Sequence, residues 1–510
     1  MPETIYTIFR DRCLGEPDNP FLILPDDRTL TYAGALRRTA QLANFFLSIG
    51  IRPGDRIAIQ AEKSVEALLT YLAALRMGAV YLPLNTAYTA AEVEYFLEDA
   101  GPTLFICRPQ DKAGLSALCA RLGVAHCLSL DLDGGGELAE AADRQPDDLA
   151  DVEAAEEALA AILYTSGTTG RSKGAMLSHA NLCSNAQTLC SFWRFSANDR
   201  LLHALPIFHT HGLFVATNIT ICAGSAMIFL PRMDVAELVR LMPRATVLMG
   251  VPTFYTRLLA EPAFTHALAS HMRLFVSGSA PLSAETHREF SARTGHAILE
   301  RYGMTETNMN TSNPYDGERV PGSIGVPLPG VEVQIAAPDT GRPLPQGEVG
   351  VIEVRGPNIF QGYWRMPEKT AEEFRPNGFF ITGDLGLIDE KGYFRIVGRA
   401  KDLIISGGFN IYPAEVEAEL DAVPGVAESA VIGVAHPDLG EAVVAIIRSH
   451  DQEPDEAGVL TAIEHRLARF KQPRRVIFVP ELPRNTMGKV QKRLLRETYS
   501  DIFADRAPAS

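Results

Sequence analysis

The first part of the chain alternates short apolar runs with segments of helical periodicity. Arg56–Gln60 has the character of a strand, and residues 65–77 follow it with apolar positions at helical spacing. The same alternation predicts further strands at residues 103–107, 161–164, 226–230, 246–249 and 273–276. Strands that alternate with helices indicate a mostly parallel sheet covered by helices, which is an α/β fold.

The pattern changes in the last third of the chain. Between residues 322 and 393, short alternating runs separated by Pro and Gly predict an antiparallel β subdomain. The final segment predicts helices at 413–420 and 456–470 and strands at 429–434, 442–448 and 476–479. We therefore predict a large N-terminal domain over 1–398 and a small α+β domain over 399–510. The acidic, Ala- and Gly-rich region 131–157 is predicted to be a mobile surface excursion.

Composition narrows the class of protein. The 510 residues carry a net charge of −15, which argues against a nucleic-acid surface but not against a local phosphate site. The seven cysteines include no CxxC spacing, and neither a signal-like stretch nor a membrane-length apolar run is found. We expect a protein of the reducing cytoplasm that uses no membrane and no nucleic acid.

A glycine-rich segment follows the predicted strand at 161–164. Residues 164–174 combine flexible backbone N–H groups, hydroxyl side chains and one lysine, which together suit a polyphosphate. The spacing is not that of a Walker A loop. A flexible surface turn is the alternative, which this composition disfavours. The predicted phosphate-binding residues are Thr165, Ser166, Gly167, Thr168, Thr169, Gly170 and Lys173.

This segment resembles the phosphate loop of the adenylate-forming superfamily, which includes acyl-CoA synthetases, peptide-synthetase adenylation domains and luciferases. Further motifs of that family are matched in order at residues 278–281, 300–307, 382–385, 398–402 and 483–490. The resemblance runs from about residue 30 to 500, nearly the whole chain. It implies an enzyme that activates a carboxylic acid with ATP and Mg²⁺ and transfers the acyl group to coenzyme A.

The resemblance also implies the catalytic roles. Adenylate formation brings two anions together, so the site must neutralise charge and fix an in-line geometry. Lys489 would bridge the carboxylate and the α-phosphate, and Thr305 would contact that phosphate. Glu306 and Thr168 would hold Mg²⁺. A solvated basic loop is the alternative for Lys489, and a lysine acetyltransferase acting there is a further possible partner.

Other motif positions would hold the nucleotide and coenzyme A. By resemblance, Tyr302 stacks on adenine, Asp384 and Arg399 hold the ribose, and Lys401 is the hinge of the small domain. Plain turns are the alternative for several of these segments. The adenine stretch consists of Gly278, Ser279, Ala280 and Pro281, and the pantetheine tunnel would be lined by Gly407 and Gly408.

The acid is suggested by Arg301, where many relatives have a small residue. An arginine facing a buried pocket is costly unless it meets an anion, and its planar fork suits a second carboxylate. Pairing of Arg301 with Glu300 or another neighbour is the alternative. The rest of the predicted pocket is His209, Thr210, Ser277, Met304 and Met309.

Residues 207–212 and 300–310 look closest to malonyl-CoA synthetases, which implies malonate as substrate and methylmalonate as a secondary one. A ligase for medium-chain or aryl monocarboxylates is the alternative. A nucleotide-binding regulatory protein without turnover is a remote one. A metal site at His209 and His211 is disfavoured because no partner stands at zinc spacing.

Overall fold

The structure is a computed structural model that describes residues 3–152, 154–165, 172–407, 409–437, 439–450, 454–485 and 488–503. The α-helices are α1 (Ile5–Gly15), α2 (Tyr32–Ser48), α3 (Val65–Arg76), α4 (Ala90–Ala100), α5 (Lys112–Leu122), α6 (Glu137–Ala142), α7 (His179–Phe192), α8 (Asn218–Ala223), α9 (Val235–Leu241), α10 (Pro252–Ala260), α11 (His266–Ala269), α12 (Ala284–Thr294), α13 (Pro367–Glu372), α14 (Pro413–Asp421), α15 (Glu456–Ile463) and α16 (Lys492–Thr498). A π-helix spans His211–Thr217, and 3₁₀ helices span Met242–Arg244 and Ala400–Asp402.

The strands follow the same chain order. They are β1 (Pro20–Ile23), β2 (Thr29–Thr31), β3 (Arg56–Gln60), β4 (Val80–Pro83), β5 (Leu104–Cys107), β6 (His126–Ser129), β7 (Leu159–Thr165), β8 (Lys173–Ser178), β9 (Arg200–His203), β10 (Ala226–Phe229), β11 (Val247–Gly250), β12 (Leu274–Ser277), β13 (Leu299–Met304), β14 (Asn308–Ser312), β15 (Val326–Pro327), β16 (Glu332–Ala336), β17 (Gly350–Arg355), β18 (Gly362–Tyr363), β19 (Phe380–Ile388), β20 (Phe394–Arg399), β21 (Ile404–Ser406), β22 (Phe409–Ile411), β23 (Val426–His436), β24 (Gly440–Ser449) and β25 (Arg475–Phe478).

Two large sheets form the framework of the first two thirds of the chain. Within the described residues, one has the order β15-β14-β13-β12-β11-β9-β10-β1-β2 and the other β18-β8-β7-β4-β3-β5-β6. Strands β9 to β13 pair in parallel, and their apolar side chains are buried on both faces, as expected of a sheet covered by helices. The α/β class predicted from the sequence is confirmed.

Two further sheets follow. The order β16-β17-β19-β20 is antiparallel throughout and corresponds to the predicted β subdomain. The last sheet, β22-β21-β24-β23 with β25 beside β24, has an apolar cluster on each face, one around Ile447 and one around Ile446. The exact domain boundary predicted at residue 398 stays a prediction. None of the helices in the described part of the chain is both long and apolar enough to cross a bilayer.

Two predicted segments differ from the structure. The mobile excursion predicted at 131–157 is wrong over α6, because Leu138 and Ala142 are buried in the core and Arg38 pairs with Asp143 at 2.7 Å. The helix predicted over 456–470 ends at Ile463. The side-chain amide of Gln472 donates to the carbonyls of Glu464 and Leu467, at 3.0 and 2.9 Å, and these bonds replace further helical ones. Phe470 stacks on Phe409 instead of extending the helical face.

Candidate active site

The predicted ribose-binding carboxylate, Asp384, lies on β19 opposite Arg399 on β20. The Arg399 Nε atom is 2.7 Å from Asp384 Oδ1, and the Tyr302 hydroxyl donates to Asp384 Oδ2 at 2.5 Å. The backbone N–H of Asp384 donates to the Thr382 hydroxyl. The carboxylate is buried and fixed by its own chain, so its orientation is set before a ribose arrives.

Glu306, the predicted metal ligand, lies in the turn between β13 and β14 and is buried. Its Oε1 accepts a hydrogen bond from the Tyr363 hydroxyl at 3.1 Å. Within the described residues, no Lys or Arg forms an ion pair with it, and burial raises its pKa. A buried carboxylate without a cationic partner fits a divalent cation. The second predicted metal ligand, Thr168, lies outside the described residues.

The ends of the phosphate loop are fixed by a tight antiparallel pair, in which Thr165 on β7 is opposite Lys173 on β8. The Lys173 ammonium is 3.3 Å from Glu373 and 4.0 Å from the centroid of the Tyr363 ring. Tyr363 reaches this position because β18 pairs with β8, which puts it opposite Ala175. Five predicted phosphate-binding residues lie outside the described ranges: Ser166, Gly167, Thr168, Thr169 and Gly170.

The adenine stretch follows the end of β12. A Cβ atom on Gly278 would lie 2.4 Å from Arg301 Cζ, so only glycine allows the guanidinium to lie against the backbone here. Ser279 has a left-handed backbone conformation (φ +72°), and its hydroxyl is 3.3 Å from His211 Nδ1. Ala280 and Pro281 complete the stretch before α12. The predicted adenine stretch and the predicted acid pocket are therefore in direct contact.

The Arg301 guanidinium is the most unusual group of the predicted acid pocket, because it is buried with 4% of its surface exposed. Its neighbour Glu300 cannot pair with it, since consecutive strand residues point to opposite faces and Glu300 accepts from the Gly322 N–H instead. Burial lowers the pKa of Arg301 to about 9. Within the described residues, Arg301 has no ion pair, so the predicted alternative of an Arg301–Glu300 pair is not found.

Several other polar atoms of this pocket are also unsatisfied. In the described part of the chain, buried side-chain atoms without a hydrogen-bond partner include His209 Nε2, Thr210 Oγ1, His211 Nε2, Ser277 Oγ, Arg301 Nε and Arg301 Nη2. Burial lowers the pKa of His209 to about 3, and the Lys489 charge adds to this shift. The pKa of His211 is also lowered by burial and by the Arg301 charge. Both imidazoles are therefore neutral hydrogen-bonding groups at neutral pH.

The apolar side of the pocket is formed near the β13–β14 turn. Met304 ends β13, and Met309 on β14 is buried, with its backbone N–H and carbonyl both bonded to the Asn185 amide. A Cβ atom on Gly303 would lie 2.6 Å from the terminal carbon of Met309 and closer still to the Asn308 carbonyl. The turn is thus packed too tightly for a larger residue at position 303.

Lys489 reaches this cleft from the small domain, on a turn held by reciprocal backbone and side-chain bonds with Asn485. The side chain keeps solvent access within the cleft, but the surrounding protein lowers its pKa by desolvation, and the Arg399 charge lowers it further. Asp384, Arg301 and Glu306 also act on its pKa, so the predicted lysine lies among the predicted ribose, acid and metal residues.

The predicted hinge residue and one of the two predicted tunnel residues lie within the described part of the chain. Lys401 is in the 3₁₀ helix Ala400–Asp402, and Asp402 pairs with Arg496 at 2.5 Å. Gly407 has a left-handed backbone conformation (φ +57°), and Gly408 lies outside the described residues. The sequence reasoning missed Tyr363, which contacts both Lys173 and Glu306. Its only local signal is the dipeptide Gly362–Tyr363 in a Pro- and Gly-rich stretch.

Comparisons with known proteins place the chain in a family. The AMP-binding enzyme family matches residues 9–364, and the AMP-binding enzyme C-terminal domain family matches residues 415–489. The chain belongs to the AMP-binding enzyme family. The match to the first of these families covers all the large-domain motifs up to residue 364, and the match to the second ends at Lys489.

Individual relatives differ in the acids that their names state. The chain is 38% identical to the feruloyl-CoA synthase of an Amycolatopsis species, covering 92% of this chain and 94% of that protein. It is 34% identical to the malonate–CoA ligase of Arabidopsis thaliana, covering 94% and 82%. ATP-bound MatB of Rhodopseudomonas palustris is 57% identical, with a TM-score of 0.96 over 99% of this chain and 100% of that one. The apo form of MatB gives 0.86, so this AMP-binding enzyme resembles the nucleotide-bound arrangement more closely.

Proposed function

We propose that the protein is an ATP-dependent acid–CoA ligase that converts malonate to malonyl-CoA, with methylmalonate as a secondary substrate. The choice of acid depends on the Arg301 guanidinium, which is buried without an ion-pair partner among the described residues. A monocarboxylic acid would leave this cation unpaired in the pocket, whereas the distal carboxylate of malonate would satisfy it. The similarity to a plant malonate–CoA ligase supports the same choice.

The first half-reaction joins the acid to AMP. A carboxylate oxygen of malonate attacks the α-phosphorus of ATP, and the bond to pyrophosphate breaks. Lys489 lies among groups of both charges, where its ammonium can bridge the attacking carboxylate and the α-phosphate as charge develops. Thr305 would contact that phosphate. Glu306 and Thr168 would hold Mg²⁺, which supplies charge neutralisation on the phosphates.

The second half-reaction transfers the acyl group. The thiolate of coenzyme A, whose proton has been released to solvent, attacks the carbonyl carbon of the adenylate, and AMP leaves with both bonding electrons of the mixed anhydride bond. Lys401 would serve as the hinge that exchanges the Lys489 turn for the Gly407–Gly408 segment at the reaction centre. Glycine suits the second position because the pantetheine arm must pass close to the backbone. Acetylation of Lys489 by a lysine acetyltransferase stays a prediction.

A substrate panel tests the choice of acid. AMP release with ATP and coenzyme A is measured for malonate, methylmalonate, acetate, octanoate, benzoate and ferulate. We expect malonate to give the highest kcat/KM and methylmalonate the next. Faster turnover of octanoate or an aryl acid than of malonate would refute the assignment and favour the monocarboxylate alternative. A regulatory nucleotide-binding protein would release no AMP with any acid.

The same assay on Arg301 variants tests the residue. We expect Arg301→Met to lower kcat/KM for malonate by about 100-fold, since one buried charge-assisted contact is lost, while the KM for ATP changes little. Arg301→Lys should recover part of the loss, because it restores the charge but not the planar fork. An equal loss for malonate and acetate would show that Arg301 does not read the second carboxylate.

A further inference from the structure

A buried lysine outside the predicted site lies between the two large sheets. Lys63, in the loop between β3 and α3, is 7% exposed. Its Nζ is 2.8 Å from His203 Nδ1, 2.8 Å from the His203 carbonyl oxygen and 4.3 Å from the centroid of the Phe229 ring. His203 and Phe229 are the last residues of the adjacent strands β9 and β10. A lysine in the loop after a strand of one sheet therefore contacts two strand ends of the other sheet.

Ion pairing does not account for this lysine. In the described ranges, no carboxylate pairs with Lys63, and its neighbour Glu62 contacts Arg108 instead. A buried amine without an acidic partner is costly, so its retention points to the hydrogen bonds that it makes. Burial lowers the pKa of Lys63, and the two N–H donors that these contacts need are present in either protonation state of the side chain.

The contacts of His203 with Lys63 and Gly212 together define one tautomer of its ring. Because the Gly212 carbonyl oxygen, 2.9 Å from Nε2, can only accept, the ring proton lies on Nε2 and Nδ1 accepts from the Lys63 amine at 2.8 Å. The Thr217 hydroxyl donates to the same oxygen at 3.0 Å. Two side chains thus hold one backbone carbonyl near the start of the π-helix His211–Thr217.

This carbonyl belongs to the segment that forms the acid pocket. A π-helix is rare and is frequently found at functional sites. The first turn of this π-helix packs closely against the preceding loop, since a Cβ atom on Gly212 would lie 2.0 Å from the Pro206 carbonyl oxygen. The preceding residue, His211, contacts the Ser279 hydroxyl at 3.3 Å and lies within the field of Arg301. A shift of the Gly212 peptide would therefore move His211 within the pocket.

We propose that Lys63 is a positioning residue for acid binding: by fixing His203 in the tautomer that donates to the Gly212 carbonyl, it holds the π-helix and His211 at the acid pocket. The proposal rests on the location of the acid pocket in the proposed function, but not on the identity of the acid. The alternative is a structural contact between the two sheets that affects stability alone.

Kinetics of Lys63→Met separate these alternatives. With the best acid that the wild type accepts, we expect the KM for the acid to rise by about 10-fold or more, while the KM for ATP stays within about 2-fold. Arg38→Met is the matched control. Arg38, on α2, is a long basic side chain that contacts Glu66 of α3, the helix that follows the Lys63 loop, and also bonds to Asp143 on the surface. The control should lower the unfolding temperature without changing the KM for the acid.

A second variant and a spectroscopic measurement cover the case in which Lys63→Met fails to fold. His203→Gln keeps a side-chain N–H donor for the Gly212 carbonyl and should keep more acid affinity than His203→Leu. In ¹⁵N-histidine-labelled wild type, one ring should show an unprotonated Nδ1 and a protonated Nε2, and its assignment follows from its loss in His203→Gln. Equal increases in both KM values, unchanged KM values with lowered stability, or the opposite tautomer would each overturn the proposal. Because any accepted acid serves, failure of malonate in the panel leaves this test intact.

Discussion

The predicted ribose site and the predicted acid pocket face the same cleft, but they differ in how far the protein itself provides partners for their buried polar groups. Asp384 is held by Arg399 and Tyr302, and its orientation is fixed by its own chain. Arg301 lies in the pocket with two unpartnered nitrogens, and the histidine segment beside it has further unpartnered atoms. One region is satisfied without a ligand, whereas the other is not.

This difference indicates which region discriminates among ligands. A pre-satisfied carboxylate can shape the ribose site at little cost to folding, and ribose hydroxyls then add to existing bonds. Unsatisfied buried donors destabilise the folded protein, so they persist only where a ligand completes them. We therefore expect the acid pocket to discriminate strongly among acids. An acid without a second anionic group would leave the Arg301 guanidinium buried and unpaired, with its desolvation cost uncompensated.

The largest effect is expected at Lys489, whose pKa is affected by charged residues of both regions. Lys489→Ala should lower acid-dependent pyrophosphate exchange by about 1,000-fold, because the cation that neutralises the two reacting anions is lost. Thioester formation from supplied acyl-adenylate and coenzyme A should be spared. The two half-reactions are measured separately by radiolabelled pyrophosphate exchange and by thioester release. Equal loss in both would contradict a role confined to adenylation.

The second prediction tests the ribose site, where Asp384 already has hydrogen-bond and ion-pair partners within the protein. Asp384→Asn removes the negative charge between Arg399 and Tyr302, so it should damage both folding and nucleotide binding. We expect the unfolding temperature to fall by roughly 2–5 °C and the KM for ATP to rise by about 10-fold or more. Thermal unfolding and AMP release measure the two quantities. An unchanged unfolding temperature would show that the carboxylate is not a structural partner of Arg399.

The sequence predicts the local elements that carry the site better than it predicts the contacts between distant segments. Local periodicity predicts β3 and most neighbouring strands because the alternation of apolar runs and helices is a property of short segments. It does not predict that β18 pairs with β8, which brings Tyr363 to Lys173, far earlier in the chain, and to Glu306, which lies 57 residues before it. Lys63 and His203 meet for the same reason, through the packing of two sheets rather than a motif.

Sequence motifs identify candidate residues but not the contacts that these residues make. The motifs identify Asp384, Lys489 and Arg301 as candidates but leave a pairing of Arg301 with Glu300 open; the two are separated by their consecutive positions on β13, which the structure supplies. The sequence does not predict which hydrogen-bond and ion-pair partners these side chains have. The partners of Asp384, and the absence of an ion pair to Arg301 within the described residues, depend on the tertiary structure. The end of α15 is a similar case, because it depends on the Gln472 side chain rather than on helical propensity.

The third prediction is a rise in the unfolding temperature, whereas Asp384→Asn is expected to lower it. Arg301→Met replaces an unpaired buried cation by an apolar side chain of comparable length. We expect the unfolding temperature of the ligand-free protein to rise by roughly 2–5 °C, although the variant uses malonate poorly. Addition of malonate should raise the unfolding temperature of the wild type but not of the variant. A destabilised variant would indicate that the guanidinium has a partner in the folded protein.

The smallest effect concerns Glu300, on the opposite face of β13 from Arg301. Burial raises the pKa of this carboxyl to about 8, from an ordinary value of 4.5. Between these values the folded protein holds a proton that the unfolded chain has released, so the free energy of unfolding falls as pH rises through this window. Glu300→Gln is always neutral and should lose less stability between pH 6 and pH 8.5, by roughly 3 °C in unfolding temperature.

The same variant should leave the kinetics of acid binding nearly unchanged. Since Glu300 bonds to the Gly322 N–H and not to the acid pocket, Glu300→Gln should change the KM for the acid by less than about 2-fold at pH 7. Identical pH dependence of unfolding in both proteins would show that the carboxyl titrates normally. A large change in acid KM would mean that the two faces of β13 are coupled, and the contrast between a satisfied framework and an unsatisfied pocket would then fail at this strand.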